Sequence, residues 1–274
     1  MRKRYCVIGA TALLGVAVAI PTMAQSAVTS QTIKSVVTPS KLSVSKKTPT
    51  PTSIRVDTDS SWDSFGPPPN PTPATVSADI DFDKGMIFNT KPVKTCDLTK
   101  LAGTTTDQAK AACGPAQVGQ GSANLNGIIG ALSGVVTAFN GTPTGGSPTI
   151  YLHTRVNNPP LTQVLVGTLT KSPAGAPYGT RLHVPIPAQQ LGGGLEVITH
   201  FDTTVDRKFK ITKKVKGKKV KVKSGYVTAT CPKNKTLSTQ GTFAFGSAPT
   251  FSPSVTKVAT TTQPCKPIAV KKKK

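Results

Sequence analysis

Acid–base chemistry in this chain of 274 residues would have to come from three histidines, ten aspartates and a single glutamate, Glu196. His200 shares a strand face with Asp202 in "LEVITHFDTTV", so a His–Asp contact is within reach. A triad also needs a positioned nucleophile. The chain has no GxSxG elbow, the turn that would present a serine. His153 in "TIYLHTRV" and His183 in "RLHVPIP" oppose the apolar residues of their segments and read as solvent-side strand residues. A glycosidase needs two carboxylates converging on one cleft. Here the aspartates are spread along strand-like segments or gathered as Asp57, Asp59 and Asp63 around Trp62. That last group would serve either as a sugar-binding patch with the indole as platform or as ordinary loop polarity. No catalytic residue is assigned, and the chain is expected not to be an enzyme.

Metal-ligand patterns are equally weak. Asp79, Asp81 and Asp83 in "DIDFDKG" have the alternate spacing with which a calcium loop begins. An EF-hand then needs Gly at its sixth position and Glu at its twelfth. Counting from Asp79, those positions hold Lys84 and Thr90, so the solvated face of a strand is the expected role. Cys96, Cys113, Cys231 and Cys265 follow the N-terminal segment that carries Cys6. They lack the CxxC spacing of a zinc site. An even count in an exported chain reads as two disulfides. Of three connectivities, the local pairs Cys96–Cys113 and Cys231–Cys265 are expected, each stabilising by roughly 3–4 kcal/mol in the chain-entropy picture. No metal or cofactor is expected. Asn140-Gly-Thr142 and Asn234-Lys-Thr236 match glycosylation sequons, relevant only in a eukaryotic secretory route.

The unusual chemistry is charge. The chain has 34 Lys and Arg against 11 Asp and Glu, a net +23. In "RKFKITKKVKGKKVKVK" (207–223), ten of seventeen residues are basic and none is acidic. Folded as a hairpin around a two-residue turn at Gly217-Lys218, it pairs Val215 with Val220 and Lys214 with Lys221. Lys210, Lys214, Lys216, Lys219, Lys221 and Lys223 then share one face, with Arg207 and Lys208 at the base, and Ile211, Val215, Val220 and Val222 lie on the other. Lysines on an exposed strand also discourage aggregation, which is the competing explanation. The expected partner is an anionic polymer or surface of the cell envelope, with the tail Lys271–Lys274 contributing. Phe209 and Tyr226 fall on the apolar face, so no aromatics interleave the cations for base stacking. Sequence-specific nucleic-acid binding is therefore not expected.

The surrounding elements read as β. "ATVSADIDFDKG" alternates Val76, Ala78, Ile80 and Phe82 with polar residues. "AQVGQGSANL", "GVVTAFN", "TIYLHTRV", "LTQVLVGTLT", "TRLHVPIP", "GYVTATC" and "GTFAFG" follow, separated by "GTPTGG", "NNPP", "PAGAPYG" and "GGG". Short strands with such punctuation imply an all-β fold. It should be mainly an antiparallel β-sandwich of about a dozen short strands, in one unit or two packed ones. One short helix is expected near 106–113, capped by Thr106 or Asp107 and closed by a left-handed Gly114.

The N-terminus supplies a positive n-region (Arg2, Lys3, Arg4), an apolar run from Tyr5 to Ile20 and small residues at Thr22 and Ala24. That is the layout of a signal peptide. The expected organisation is a signal peptide 1–24, a flexible arm 25–40, a β-rich domain 41–265 and a basic tail 266–274. Export leaves 31 basic against 11 acidic residues, +20, a balance that favours anionic partners. No second long apolar run exists, so the mature chain is not expected to be transmembrane.

The order of features, "VTPSKLSVSKK", "DIDFDKG", "FNTKPVKTC", the Gly-Pro after Cys113, "VGQGSANL" and "TAFNG", resembles a group of secreted β-rich proteins of actinobacterial type with no assigned activity. The resemblance implies an exported β-rich protein and carries over no site residue. The expected function is non-enzymatic binding of anionic envelope material; the alternative is an envelope-associated hydrolase or carbohydrate-binding module.

Overall fold

The computed structural model describes residues 27–63, 72–127, 130–191, 194–215 and 217–268; the expected signal peptide, Lys216 and Lys271–Lys274 lie outside the described residues. The chain begins with β1 (Val28–Thr38), β2 (Lys41–Ser43), β3 (Thr50–Trp62), β4 (Ala74–Asp83) and β5 (Met86–Phe88). The helix α1 (Thr106–Cys113) follows, flanked by 3-10 turns at Leu98–Lys100 and Gly114–Ala116. Next come β6 (Gln117–Gly127), β7 (Leu132–Thr144), β8 (Ser147–Asn157), β9 (Pro160–Lys171), β10 (Tyr178–Pro185), β11 (Gln189–Leu191) and β12 (Gly194–Val205). The remainder is β13 (Lys208–Val215), β14 (Lys218–Gly225), β15 (Val227–Ala229), β16 (Thr236–Gly246), β17 (Val255–Pro264) and β18 (Lys266–Ile268).

The fold is all-β with one short helix. Fourteen strands form a single sheet in the order β17-β16-β4-β10-β9-β8-β7-β6-β12-β3-β15-β5, with β1 added on β3 and β11 on β12; every pairing in it is antiparallel. The sheet curls until its ends meet. Val37 in β1 donates its N–H to the Gln263 side chain of β17 at 2.5 Å and accepts from the same amide at 2.9 Å. β12 also lies across the interior from β4, so the ring is flattened into two facing layers. β2 and β18 make a parallel pair beside it, and β13–β14 form a separate two-stranded sheet.

Strand alternation fills the interior. Ile54, Phe82, Val136, Ile150, Leu152, Leu165 and Val184 are buried together with Tyr226 and Phe245, each large aliphatic side chain contributing on the order of 1.5–3 kcal/mol. Trp62 packs edge-on to Phe245, ring centroids 6.2 Å apart. A second cluster lies on the outer side of β7 and β8, where the segment carrying α1 folds back. There Leu101, Ala109 and both cysteines of the first disulfide cover Phe139 and Tyr151.

Four expectations need correction. Val28–Thr38 is not an arm: it pairs with β3 from Val28↔Trp62 to Thr38↔Ser53. Its inward residues Ile33, Ser35 and Val37 are buried, and only two of these are hydrophobic, which is why the segment reads as disordered. "GTPTGG" is not all turn; β7 continues to Thr144, and Gly145-Gly146, with φ of 57° and 78°, form the two-residue turn to Ser147. The helix N-cap is Thr105, whose hydroxyl accepts from the Gln108 N–H while the Gln108 side chain accepts from the Thr105 N–H. Gly114 is right-handed (φ −52°), because the chain runs straight into a 3-10 turn instead of reversing.

Candidate functional site

The lysine-rich segment is a hairpin, as its alternation requires, but the turn is one residue earlier than expected. β13 and β14 pair Val215↔Lys218, Lys214↔Lys219, Lys213↔Val220, Thr212↔Lys221, Ile211↔Val222, Lys210↔Lys223 and Lys208↔Gly225. The turn therefore lies between Val215 and Lys218. Gly217 takes φ +80°, a backbone region that glycine enters without cost, so it fills the second loop position and not the first. Moving the turn by one residue shifts every pair by two along one strand, and a shift of two keeps each side chain on its face. Lys208, Lys210, Lys214, Lys219, Lys221 and Lys223 thus occupy positions on one face. Lys208, Lys210, Lys219, Lys221 and Lys223 are exposed. On the other face Phe209, Ile211 and Val222 are half-buried, while Val220 toward the tip is 42% exposed.

The base of the hairpin is tied to the body. The Arg207 N–H donates to Val118 O, its Nη1 approaches Gln117 O at 3.4 Å, and its carbonyl accepts from the Tyr226 N–H at 2.7 Å. Tyr226 does not pair with Phe209; Ser224 does. Tyr226 is fully buried, and its hydroxyl donates to Asn140 Oδ1 at 2.9 Å. Burial pushes that phenol's pKa well above the ordinary tyrosine range. The Asn140 amide donates in turn to the carbonyls of Thr90, Val93 and Lys94. With its amide enclosed in this network, Asn140 cannot serve as a sequon acceptor in the folded chain.

Arg55, Arg181, His183 and His200 form ion pairs with aspartates on the sheet. β4, expected to show its aspartates to water, buries both faces, with Asp81 at 0% and Asp83 at 1% exposure. Arg181, directly across the β10–β4 ladder from Asp81, grips it with Nε and Nη2 at 2.9 and 2.6 Å and reaches Asp79 with Nη1 at 3.0 Å. These carboxylates raise the guanidinium pKa. His183 is solvent-side as expected, with Nδ1 2.6 Å from the other Asp79 oxygen. Asp83 instead accepts from the N–H groups of Gly85 and Ser238, and its burial raises its pKa.

The other candidate residues are also placed differently from expectation. His200 does not meet Asp202. It lies across from Asp59, with Nδ1 at 2.8 Å from Asp59 and 3.8 Å from Asp57, whereas Asp202 binds Ser122 and Arg55. Residues i and i+2 of a strand share a face but stand nearly 7 Å apart, farther than a cross-strand partner. Asp57, Asp59 and His200 bring one donor atom each within 4.8 Å of one another, the one such grouping among the described residues. His153 is fully buried beneath the α1 segment, its Nε2–H donating to Thr104 O at 3.1 Å; burial lowers its pKa, so the ring is neutral. Trp62 is inside, its indole N–H on Pro73 O at 2.9 Å, and cannot be a sugar platform.

Both expected cysteine pairs are within bonding geometry, with Cα atoms 5.4 Å apart for Cys96–Cys113 and 5.8 Å for Cys231–Cys265. Among the described residues, no helix is long and apolar enough to cross a membrane. Arg181, Arg55 and the Asn140–Tyr226 pair were missed by sequence reasoning. The one available signal was an arginine at the polar phase of "TRLHV", able to answer the acid alternation of "DIDFD". Comparison with protein-family models, with curated proteins and with solved structures found no match to this chain.

Proposed function

We propose that this is an exported, non-enzymatic β-rich protein that binds anionic polymers of the cell envelope through the 207–223 hairpin. The observation that carries the reading is the placement of charge. The hairpin stands outside the fourteen-stranded sheet, and its cationic face sets Lys210 against Lys223 and Lys214 against Lys219. Like charges directly opposite destabilise a ladder. Lysines meant only to keep the chain soluble need no such alignment, whereas a polyanion lying along the hairpin would relieve the repulsion at every pair. The nearest acid in sequence, Asp206, is at the base and not on the arm.

The reading is tested by retention of the purified protein on isolated envelope fractions. Elution by a soluble polyanion at constant ionic strength is the expected result. Retention that survives excess polyanion, or that is lost when neutral glycans are added, would contradict the reading and favour a carbohydrate-binding module.

A further inference from the structure

Between the two layers of the flattened ring lies a cavity of about 110 Å³. It is not a hole left by one missing side chain. Its walls follow β3 from Ile54 through Val56 and Thr58 to Ser60, and β12 from Val205 back to Ile198, with β4, β8, β9, β10 and β16 completing it. Its cause is compositional: a ring of many strands needs large side chains to fill it, yet aromatics are only 5% of the chain, and Ala78 and Thr203 stand where bulk would be required.

The two ends differ. At the Ile54 and Val205 end the lining residues Ile80, Phe82 and Phe243 are buried. At the other end Thr58, Ser60, Ile186, Ile198 and Thr199 are only half-buried; their three hydroxyls are turned to Phe201 O, Gln31 Oε1 and Asn124 O, so the cavity nears the surface with apolar walls. Apolar cavities of this kind stay free of water and accept apolar guests. A cavity of about 150 Å³ holds one benzene, so this smaller space takes a single guest of about four to six carbons.

We infer that this cavity binds a single small, uncharged aliphatic molecule of about four to six carbons, seated between β3 and β12 with any polar end left in water at the half-buried end. The site is independent of the lysine hairpin. The probe is a series of n-alkanols from two to eight carbons, titrated calorimetrically below their solubility limits into the delipidated protein. Affinity should tighten about fourfold per methylene, the factor set by burial of one CH₂, and level off near six carbons. The carboxylic acid of equal length should bind more weakly. Ala78→Leu on one layer and Thr203→Leu on the other should each weaken hexanol at least tenfold while the protein still melts cooperatively; either variant folding is enough to read the result. Absence of saturable binding, an affinity that ignores chain length, or undiminished binding in a folded filled variant would overturn the inference. Gln substitutions in the hairpin should leave alkanol binding unchanged, which separates this outcome from failure of the polymer-binding reading.

Discussion

In β4–β10 the carboxylates of Asp79 and Asp81 lie across the ladder from His183 and Arg181; in β13–β14 Lys210 lies across from Lys223 and Lys214 from Lys219. The first pair of strands is in the middle of the sheet with Asp81 at 0% exposure. The second is a separate two-stranded ribbon in which Lys208, Lys210, Lys219, Lys221 and Lys223 are exposed. The difference is pairing. A charge enters the interior only when a fixed partner replaces its lost hydration, and a guanidinium gripping a carboxylate with two donors is such a partner. Lysines facing lysines have none, so that ladder stays outside and remains open to an external anion.

The comparison is broken most severely by removing the internal partner. Arg181→Met leaves Asp81 buried without its cation and should cost about 3–5 kcal/mol, read from urea unfolding. The double change Arg181→Met with Asp81→Leu should recover much of this, because an apolar pair of similar volume carries no desolvation penalty. Arg181→Lys sharpens the point: charge is kept but the fork is lost, with an expected cost of about 1.5–3 kcal/mol. A lysine variant as stable as the parent would show that charge alone, and not the two-donor geometry, holds β4 inside.

His153 is an intermediate case, a titratable group buried with neither a counter-ion nor access to water. Its pKa in the folded chain is lowered from the ordinary 6.5 by burial. The folded state therefore resists the proton that the unfolded state accepts. The stability contributed by the neutral ring is complete above pH 6.5 and is lost as pH falls below that value toward the folded pKa. His153→Gln, which can still donate to Thr104 O, should flatten this part of the stability–pH curve. An unchanged slope in the variant would assign the pH dependence to other groups.

The hairpin was legible because both its signals are local: alternation fixes the faces and a glycine marks the turn. Only the turn phase was misread, since φ +80° at Gly217 suits the second loop position as well as the first. The same locality made the disulfides legible, with separations of 17 and 34 residues. β4 was misread because alternation separates two faces without saying that the polar one meets water. Its partner Arg181 is 100 residues downstream of Asp81, and nothing in "DIDFD" announces it. The exposure assigned to His153 failed for a related reason, since the segment that covers it precedes it by about 50 residues and packs through Leu101 and Ala109. The cavity was not legible, because it depends on how far apart the curled sheet holds its own layers.

The smallest expected effect on stability belongs to the hairpin. Changing Lys210, Lys219, Lys221 and Lys223 together to Gln should alter stability by within about 0.5 kcal/mol per site and in the favourable direction, since the opposed charges disappear. Rising stability combined with loss of binding is the signature of a surface kept for a partner.

The most direct test of that claim is the salt dependence of binding to one defined linear polyanion, measured for the parent protein and the four-lysine variant. Exposed charges are screened over about 10 Å at 0.1 M salt and about 3 Å at 1 M. The parent's affinity should therefore fall steeply across that range, and the variant should bind weakly at every salt concentration with a shallow dependence. A variant that binds as tightly as the parent, with the same salt dependence, would contradict the assignment of the site to the hairpin.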